Sequence, residues 1–458
     1  MGSLKKINRQ LSTTQVIALG FISAILIGAA ILSLPVSSAS GEFTPFTDSL
    51  FTSATSVCVT GLVTVTTATH WSLFGKVVIL VLIQLGGLGI VSFTTGIMMV
   101  IGRRITLRDR MLLEDALNLD TLSGLVKFLQ RIFKGTFLVE GIGAACYSLV
   151  FIPQFGIIKG AWYSVFHSVS AFCNAGIDIL GNDSFVPYAS NVWINIVTMC
   201  LVITGGIGFL VWWDVTNNIK KLIQHEYTAK MAVKKLHLHS KIVIITTFFL
   251  ITCGAALIFA LEFNNPDTIG NMGPGNKILA SFFQSVVLRT AGFMTFPQSG
   301  MYSSTVIVCL FLMFIGGSSI STSGGIKTTT FAVLFLSTRA TIKGSTHLVV
   351  FNKTIPHKTV QKALAVTVVS LTALLIAVFA LHLVEGGSLL DATFETTSAV
   401  ATVGLSRDFT ATMGMAGKLL ITFCMYLGRI GPISMVIFFN RQQGSKYFSY
   451  PHEDITVG

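Results

Sequence analysis

The chain has 458 residues, of which 52% are hydrophobic and only 11% are charged. Soluble domains carry about 25% charged residues, so this composition excludes a soluble protein and predicts an all-α integral membrane protein. The formal net charge of +12 could suit nucleic acid, but the placement of Lys and Arg explains it without a nucleic-acid partner.

Eight apolar runs of roughly 18–25 residues are each long enough to cross a membrane. They lie near 15–34, 76–101, 135–152, 192–213, 242–261, 303–338 (interrupted), 363–384 and 417–439. With a cytoplasmic N-terminus, 23 of the 31 Lys and Arg fall in inner segments and five fall in outer segments. The positive-inside rule therefore places both termini in the cytoplasm. No cleavable signal peptide is evident, and the seven Cys occur singly, as small apolar residues do.

Four predicted outer segments share one pattern, in which Phe stands ten residues before a Gly and an apolar residue follows the Gly. They read "FTSATSVCVTGL" (51–62), "FHSVSAFCNAGI" (166–177), "FFQSVVLRTAGF" (282–293) and "FETTSAVATVGL" (394–405). The glycines are 115, 116 and 112 residues apart, which indicates internal repetition. Two spans per unit give all four units the same orientation, so they can surround one central pore with pseudo-fourfold symmetry.

The predicted units are span, pore loop and span, joined by basic cytoplasmic linkers. We divide the chain into a cytoplasmic N-terminus (1–14), repeat 1 (15–102), repeat 2 with its preceding linker (103–213), repeat 3 with an intramembrane loop at 316–327 (214–338), repeat 4 (339–440) and a cytoplasmic C-terminal tail (441–458).

The pore loops predict a cation filter. About ten residues before each Gly make a half-helix of about 15 Å, whose negative C-terminal end favours a cation. The Gly permits backbone angles that turn carbonyl oxygens toward an ion, where they replace its hydration shell. The candidate filter residues are Val59, Thr60, Gly61, Asn174, Ala175, Gly176, Thr290, Ala291, Gly292, Thr402, Val403 and Gly404. One shared Gly per repeat favours K⁺ with imperfect discrimination against Na⁺.

Repeated span–pore–span units with one Gly each, together with "RTAGF" (289–293) and "GGIKTTT" (324–330), resemble the Trk/Ktr/HKT superfamily of potassium transporters. The short tail "PHEDITVG" is similar to that of bacterial Ktr-type membrane subunits. The resemblance implies K⁺ uptake across the plasma membrane of a bacterium. It also implies a homodimer, with one pore per subunit, on a cytosolic ring of nucleotide-binding regulatory proteins.

The second span of each repeat contains small residues, which read "GGLG" (86–89), "GGIG" (205–208), "GGSS" (316–319) and "GRIG" (428–431). In the first two repeats we interpret them as close helix packing. In the third, a polar break interrupts the span, and such a break must line a cavity or be buried in protein. We expect this position to stay helical in the other three repeats.

The resemblance implies that the polar break is a gate on the cytoplasmic side of the filter. Its candidate residues are Gly316, Gly317, Ser318, Ser319, Ile320, Ser321, Thr322, Ser323, Gly324, Gly325 and Lys327, with Arg429 from the fourth repeat. An arginine at this depth is a functional hypothesis by default, and it could repel a cation and hydrogen-bond the loop. Arg289 is interpreted as a prop for the third pore loop and Lys327 as a cap for the gate. Ile320 could plug the pore or anchor the loop, and Glu140 has no assigned partner.

Two alternatives to a K⁺-translocating subunit remain: a sodium-coupled K⁺ symporter and a less selective Na⁺/K⁺ channel. Symport would favour buried ionisable residues on facing helices, which are scarce here. An enzyme is disfavoured, because HExxH, a nucleophile elbow, a P-loop and paired catalytic carboxylates are all missing from the sequence. His237 and His239 give only a weak metal signal.

Overall fold

A computed structural model describes residues 13–101, 105–117, 124–345 and 347–431, and within them the chain is mostly helical, as the sequence predicts. Nearly all of the predicted N-terminus (1–14) and the whole tail (441–458) lie outside the described residues. The eighth predicted span, 417–439, is described only as far as residue 431.

Each quarter of the described chain begins with a long helix, continues with a short helix and ends with further apolar helix. The first contains α1 (Thr13–Leu32), a 3-10 turn (Pro35–Ser37), α2 (Phe46–Cys58), α3 (Thr67–His70), α4 (Leu73–Leu88), α5 (Ile90–Val100) and α6 (Leu107–Leu117). The second contains α7 (Leu125–Phe155), α8 (Ile157–Phe172), a 3-10 turn (Val186–Tyr188), α9 (Val192–Ile207), α10 (Phe209–Ile223) and α11 (Ala229–Lys235). The third contains α12 (Leu238–Glu262), α13 (Pro274–Val287), α14 (Ser303–Phe314) and α15 (Thr328–Ile342).

A small antiparallel hairpin follows, formed by β1 (Val349–Val350) and β2 (Lys353–Thr354), with Val349 opposite Thr354. The last quarter contains α16 (His357–Glu385), α17 (Leu389–Val400), a 3-10 turn (Thr410–Thr412) and α18 (Met415–Ile430).

The four long helices α1, α7, α12 and α16 are each apolar and long enough to cross a membrane. The short helices α2, α8, α13 and α17 lie inside the protein: nine of the thirteen residues of α2 are buried. By contrast, large apolar side chains of the long helices are exposed, such as Ile27, Leu138 and Phe248. Exposed apolar side chains outside and enclosed short helices inside fit a lipid environment.

The second spans of the first and second repeats are broken as well as that of the third, so the expectation of a break in the third alone was wrong. Helices α4 and α5 meet at Gly89 with a bend of 102°, and α9 and α10 meet at Gly208 with a bend of 103°. Gly431 ends α18 in the same way. The φ angles of these glycines are +83°, +95° and +92°, a region that side-chain-bearing residues rarely adopt. The fourth position of each small-residue motif therefore ends a helix in the first, second and fourth repeats.

A serine of the short helix fastens it to the long helix in three of the four quarters. The Oγ atoms of Ser53, Ser168 and Ser285 donate to the carbonyl oxygens of Ile25, Glu140 and Ile251 at 2.7, 2.6 and 2.8 Å. A glycine stands three residues after each of these acceptors. At each glycine the serine Oγ occupies the space that a Cβ would need, and the three glycines are Gly28, Gly143 and Gly254. The absence of a Cβ therefore lets the two helices approach closely enough for the hydrogen bond.

Gly143→Ala should lower the thermal stability of the protein, because its new Cβ would collide with Ser168 and with both Cδ atoms of Leu201. Overpacking of this kind costs about 1–3 kcal/mol. Gly141→Ala, two residues away on the same helix and with open space around it, is the matched control. It should gain about 0.5–1 kcal/mol from helix propensity alone. Equal melting temperatures of the two variants in detergent would contradict the assigned close contact.

Candidate functional site

Four short segments, one after each short helix, have the same unusual backbone. The residue two positions before each glycine has a positive φ although it carries a side chain: Val59 (56°), Asn174 (60°), Thr290 (72°) and Thr402 (53°). The glycines follow at +104°, +65°, +74° and +95°. Val and Thr are β-branched and rarely adopt positive φ, so the surrounding structure must hold these segments in place.

The four glycines form a closed ring in chain order. Each glycine packs against the carbonyl oxygen of the residue that precedes the next glycine. A Cβ on the glycine would lie closer than 3.0 Å to that oxygen. The pairs are Gly61 with Ala175, Gly176 with Ala291, Gly292 with Val403 and Gly404 with Thr60. The structure thus brings together the four predicted filter glycines and the residue that precedes each of them, and the last quarter closes on the first.

The environment of the ring is rich in oxygen and electronegative. Each segment follows the C-terminal end of a short helix, where unpaired carbonyls carry partial negative charge. The hydroxyl oxygens of Thr60, Thr290 and Thr402 are buried and have no hydrogen-bond partner among the described residues. Buried oxygens without donors are suited to contact with a cation.

Hydroxyls within the short helices hold two of the segments, and sequence reasoning missed them. The backbone N–H of Gly61 donates to Thr55 Oγ1 at 2.9 Å, and that of Gly404 donates to Ser398 Oγ at 3.0 Å. Both hydroxyls stand six residues before the glycine. In the second repeat the equivalent Ser170 Oγ instead donates to Ile177 O at 2.6 Å. A hydroxyl-bearing residue six positions before the glycine in three of the four repeats was the available sequence signal, and Val286 stands there in the third.

Buried polar side chains also tie three short helices to the chain that returns from the ring. The pairs are His167 Nε2 with the N–H of Ile179, Gln284 Nε2 with Gln298 Oε1, and Glu395 with the hydroxyls of Ser406 and Thr410. The three side chains are of different types and share no motif, so these links could not be predicted from the sequence.

The segment from Gly316 to Gly325 packs against the break between α9 and α10. Ser318 N donates to Gly206 O at 2.9 Å, Thr322 N donates to Gly205 O at 3.3 Å, and Phe209 N donates to Ile320 O at 2.9 Å. Ile320 has a φ of 54° and packs against the buried cluster of Leu113, Leu125 and Leu129. Ile320 is therefore held by packing on the side of the loop away from the ring.

The same loop touches the ring segments directly. The side chains of Asn174 and Ser323 are hydrogen-bonded at 2.6 Å, and Thr322 Oγ1 lies 3.2 Å from Phe172 O. Gly324 lies against Thr402 Oγ1, which fills the space that a side chain at Gly324 would need. The loop thus contacts the second and fourth segments.

Three cationic side chains hold the loop through its carbonyl oxygens. Arg289 Nη2 donates to Gly316 O at 3.0 Å, and Lys327 Nζ donates to Ser323 O at 2.7 Å. Arg429 donates to Thr322 O at 2.5 Å and also to the oxygens of Gly86 and, at 3.3 Å, Gly87. In the part of the chain that the structure describes, none of the three forms an ion pair with a carboxylate. Arg289, interpreted from the sequence as a prop for the third pore loop, therefore contacts the polar loop at 316–325.

Glu140 lies at a junction of three elements. It is buried on α7, and its carboxylate accepts from Gln84 Nε2 of α4 at 3.3 Å. The thiol of Cys173, one residue before Asn174, lies 3.8 Å from Glu140 Oε1. Glu140 thus has partners that its place in the sequence did not reveal, and it sits behind the second ring segment.

The two linker histidines do not build a metal centre. His237 Nδ1 pairs with Asp214 Oδ1 at 2.7 Å, and the described residues contain no cluster of three or more His, Cys, Asp or Glu that could hold a metal ion. Burial alone would raise the pKa of the Asp214 carboxyl, but hydrogen bonds from Ser240 and His237 outweigh it and lower that pKa below its usual value. Asp214 therefore links α10 to the start of α12 as a carboxylate.

Comparisons with known proteins find relatives over nearly the whole chain. The model of the TrkH family, described as a cation transport protein, matches residues 6–450. Potassium/sodium uptake protein NtpJ of Enterococcus hirae is 38% identical over 99% of both chains. Ktr system potassium uptake protein B of Bacillus subtilis is 39% identical over 97% of this chain and 96% of its own.

Among solved structures, the crystal structure of the potassium transporter TrkH from Vibrio parahaemolyticus has the same fold, with a TM-score of 0.72. The match covers 95% of this chain and 86% of the other at 16% sequence identity.

Proposed function

The chain belongs to the TrkH family of cation transport proteins, and we propose that it carries K⁺ into the cell through the ring of four glycine segments. The observation that carries this proposal is the closed ring of glycine segments in chain order, which is what four like-oriented repeats around one central pore would produce. Two of its curated relatives are named for potassium uptake, one of them for sodium as well.

The proposed filter would hold K⁺ with backbone oxygen. The four short helices direct partial negative charge toward the ring, and carbonyls of the ring residues replace the hydration shell of the ion. The unpartnered hydroxyls of Thr60, Thr290 and Thr402 supply further oxygens. Because each repeat offers one glycine, discrimination against Na⁺ is incomplete, which is the reason to keep a less selective Na⁺/K⁺ channel or a sodium-coupled symporter as the alternative.

The loop at 316–327 is the proposed gate. It is fixed on the inner side of the ring by contacts to the second and fourth segments and by three cations. Arg429 joins Thr322 O of the loop to Gly86 O at the end of α4, so the loop moves aside only when these bonds break. Its positive charge also opposes a cation that leaves the filter.

The proposed setting is the plasma membrane of a bacterium, with both termini in the cytoplasm. We further propose a homodimer in which each subunit owns a complete pore, on a cytosolic ring of nucleotide-binding regulatory proteins that moves the gate. The decisive test is K⁺ uptake in a transport-deficient strain, with and without the regulatory subunit. Uptake that equals the empty strain in both conditions would refute the proposed function.

Replacing Gly61, Gly176, Gly292 or Gly404 by Ser should lower the K⁺/Na⁺ uptake ratio. The new side chain would meet the neighbouring carbonyl and force the ring to change shape. We expect a loss of about tenfold, which corresponds to about 1.4 kcal/mol of discrimination. The measurement is K⁺ and Na⁺ uptake by the same cells. Gly181→Ser, with open space around it in the outer segment, is the control and should leave the ratio unchanged. Unchanged ratios in all four ring variants would rule out this filter.

Arg429→Ala should raise K⁺ flux in the absence of the regulator several-fold, because it removes both the bonds to Thr322 and the positive charge. Removal of part of 316–325 should have the same effect. Arg429→Lys keeps the charge but cannot span the three carbonyls, so an intermediate flux would separate the two contributions. Arg339→Ala, an exposed arginine on α15, is the control. Wild-type flux of the Arg429→Ala and loop variants in proteoliposomes would contradict the gate.

A further inference from the structure

A cavity of about 530 Å³ lies between α10, α11 and the start of α12. This volume falls within the range of small-molecule sites, about 300–1,000 Å³. One wall is apolar and carries Leu210 and Trp213, and the rest is polar and basic. The proposed transport function uses none of these side chains.

One acidic side chain, that of Asp214, lines the cavity, and it is already hydrogen-bonded within the protein. Asp214 is only 7% exposed, and both of its oxygens accept hydrogen bonds from within the protein. Oδ1 accepts from His237 Nδ1 and from Asn218 Nδ2 at 2.7 and 3.1 Å, and Oδ2 accepts from the His237 N–H at 2.8 Å. Both oxygens of this carboxylate are therefore already occupied by donors of the protein, and the two lysines that line the cavity, Lys221 and Lys235, outnumber its single negative charge.

The donors that remain favour an anion. Lys221 and Lys235 both line the cavity and are exposed, and Lys221 Nζ has only the Tyr227 hydroxyl, at 3.3 Å, as a hydrogen-bond partner in the described chain. His239 Nε2 is buried without a partner among the described residues. The cavity also borders the start of α12, where free backbone N–H groups give partial positive charge.

The cavity lies where a membrane surface would be. Helix α10 turns by 103° from the apolar helix α9, so it runs along the membrane face rather than across it. The side chains of Ile219 and Ile223 on α10 are exposed. The guanidinium carbon of Arg131 lies 4.8 Å from the centroid of the Trp213 ring. Helices with exposed apolar residues, Trp and Lys are typical of the membrane–water interface.

We propose that this cavity binds a phosphate-bearing anion, with the phosphate held by Lys221 and Lys235 and an apolar part of the ligand against Leu210 and Trp213. Two sources share this chemistry: the headgroup of an anionic phospholipid and a soluble phosphate compound. At the other end of α10, the backbone N–H of Phe209 donates to Ile320 O of the loop at 2.9 Å. A ligand in the cavity would therefore lie on the helix that supports the loop.

The test measures binding to the full-length protein in detergent by titration calorimetry. The probes are a short-chain phosphatidylglycerol, the matching phosphatidylcholine, and inorganic pyrophosphate. Lys221→Ala/Lys235→Ala is compared with Lys220→Ala/Lys234→Ala, which removes the same charge from neighbouring lysines that do not line the cavity. All four lysines are exposed, so both variants should fold.

We expect phosphatidylglycerol to bind the wild type and the Lys220→Ala/Lys234→Ala control with similar affinity. It should bind the Lys221→Ala/Lys235→Ala variant at least about tenfold more weakly. Phosphatidylcholine should bind none of the three proteins. If pyrophosphate gives the same pattern, the source is a soluble phosphate compound; if it does not bind, the source is the lipid headgroup. Failure of both anions to bind the wild type, or equal weakening by the two lysine pairs, would overturn the site. The readout requires no transport, so it is independent of the proposed function.

Discussion

Backbone that leaves a helix inside a membrane must find its hydrogen-bond partners within the protein, because hydrocarbon offers none. This chain leaves its helices at the four ring segments and the loop, and the rest of the structure supplies the partners. Hydroxyls of Thr55 and Ser398 accept from ring amides, and the ends of α9 and α10 pair with the loop. The long helices then enclose the whole assembly, fastened by serines that fit against glycines.

Charge follows the same constraint. Arg289, Lys327 and Arg429 are deep in the protein and meet carbonyl oxygens instead of carboxylates. Hydrogen bonds to neutral oxygens do not cancel the positive charge of the two arginines beside the loop, and Arg289 Nε has no hydrogen-bond partner among the described residues. An ion pair at each position would have removed that charge, so the choice of partner leaves positive charge beside the proposed gate.

Much of this organisation could be predicted from the sequence, because the ring depends on residues that no other type can replace. The four ring glycines recur every 112–116 residues and so reveal the repeat, and the polar residues at 316–325 within an apolar run reveal the loop. The breaks at Gly89 and Gly208 could not be predicted, since small residues favour close helix packing and helix ends equally. The partners of Glu140 and Arg289 were also hidden, because Gln84 and Gly316 are distant in sequence and meet only through the fold.

The contact between Gly404 and Thr60 joins the last quarter of the chain to the first. Synthesis at about 5–20 residues per second separates these two residues by roughly 20 to 70 seconds. During that interval the first three quarters can enter the membrane, but their ring has an open side with strained backbone and no neighbour. The nascent chain must therefore keep its first segment protected until the last arrives, which makes the final quarter the step that completes assembly.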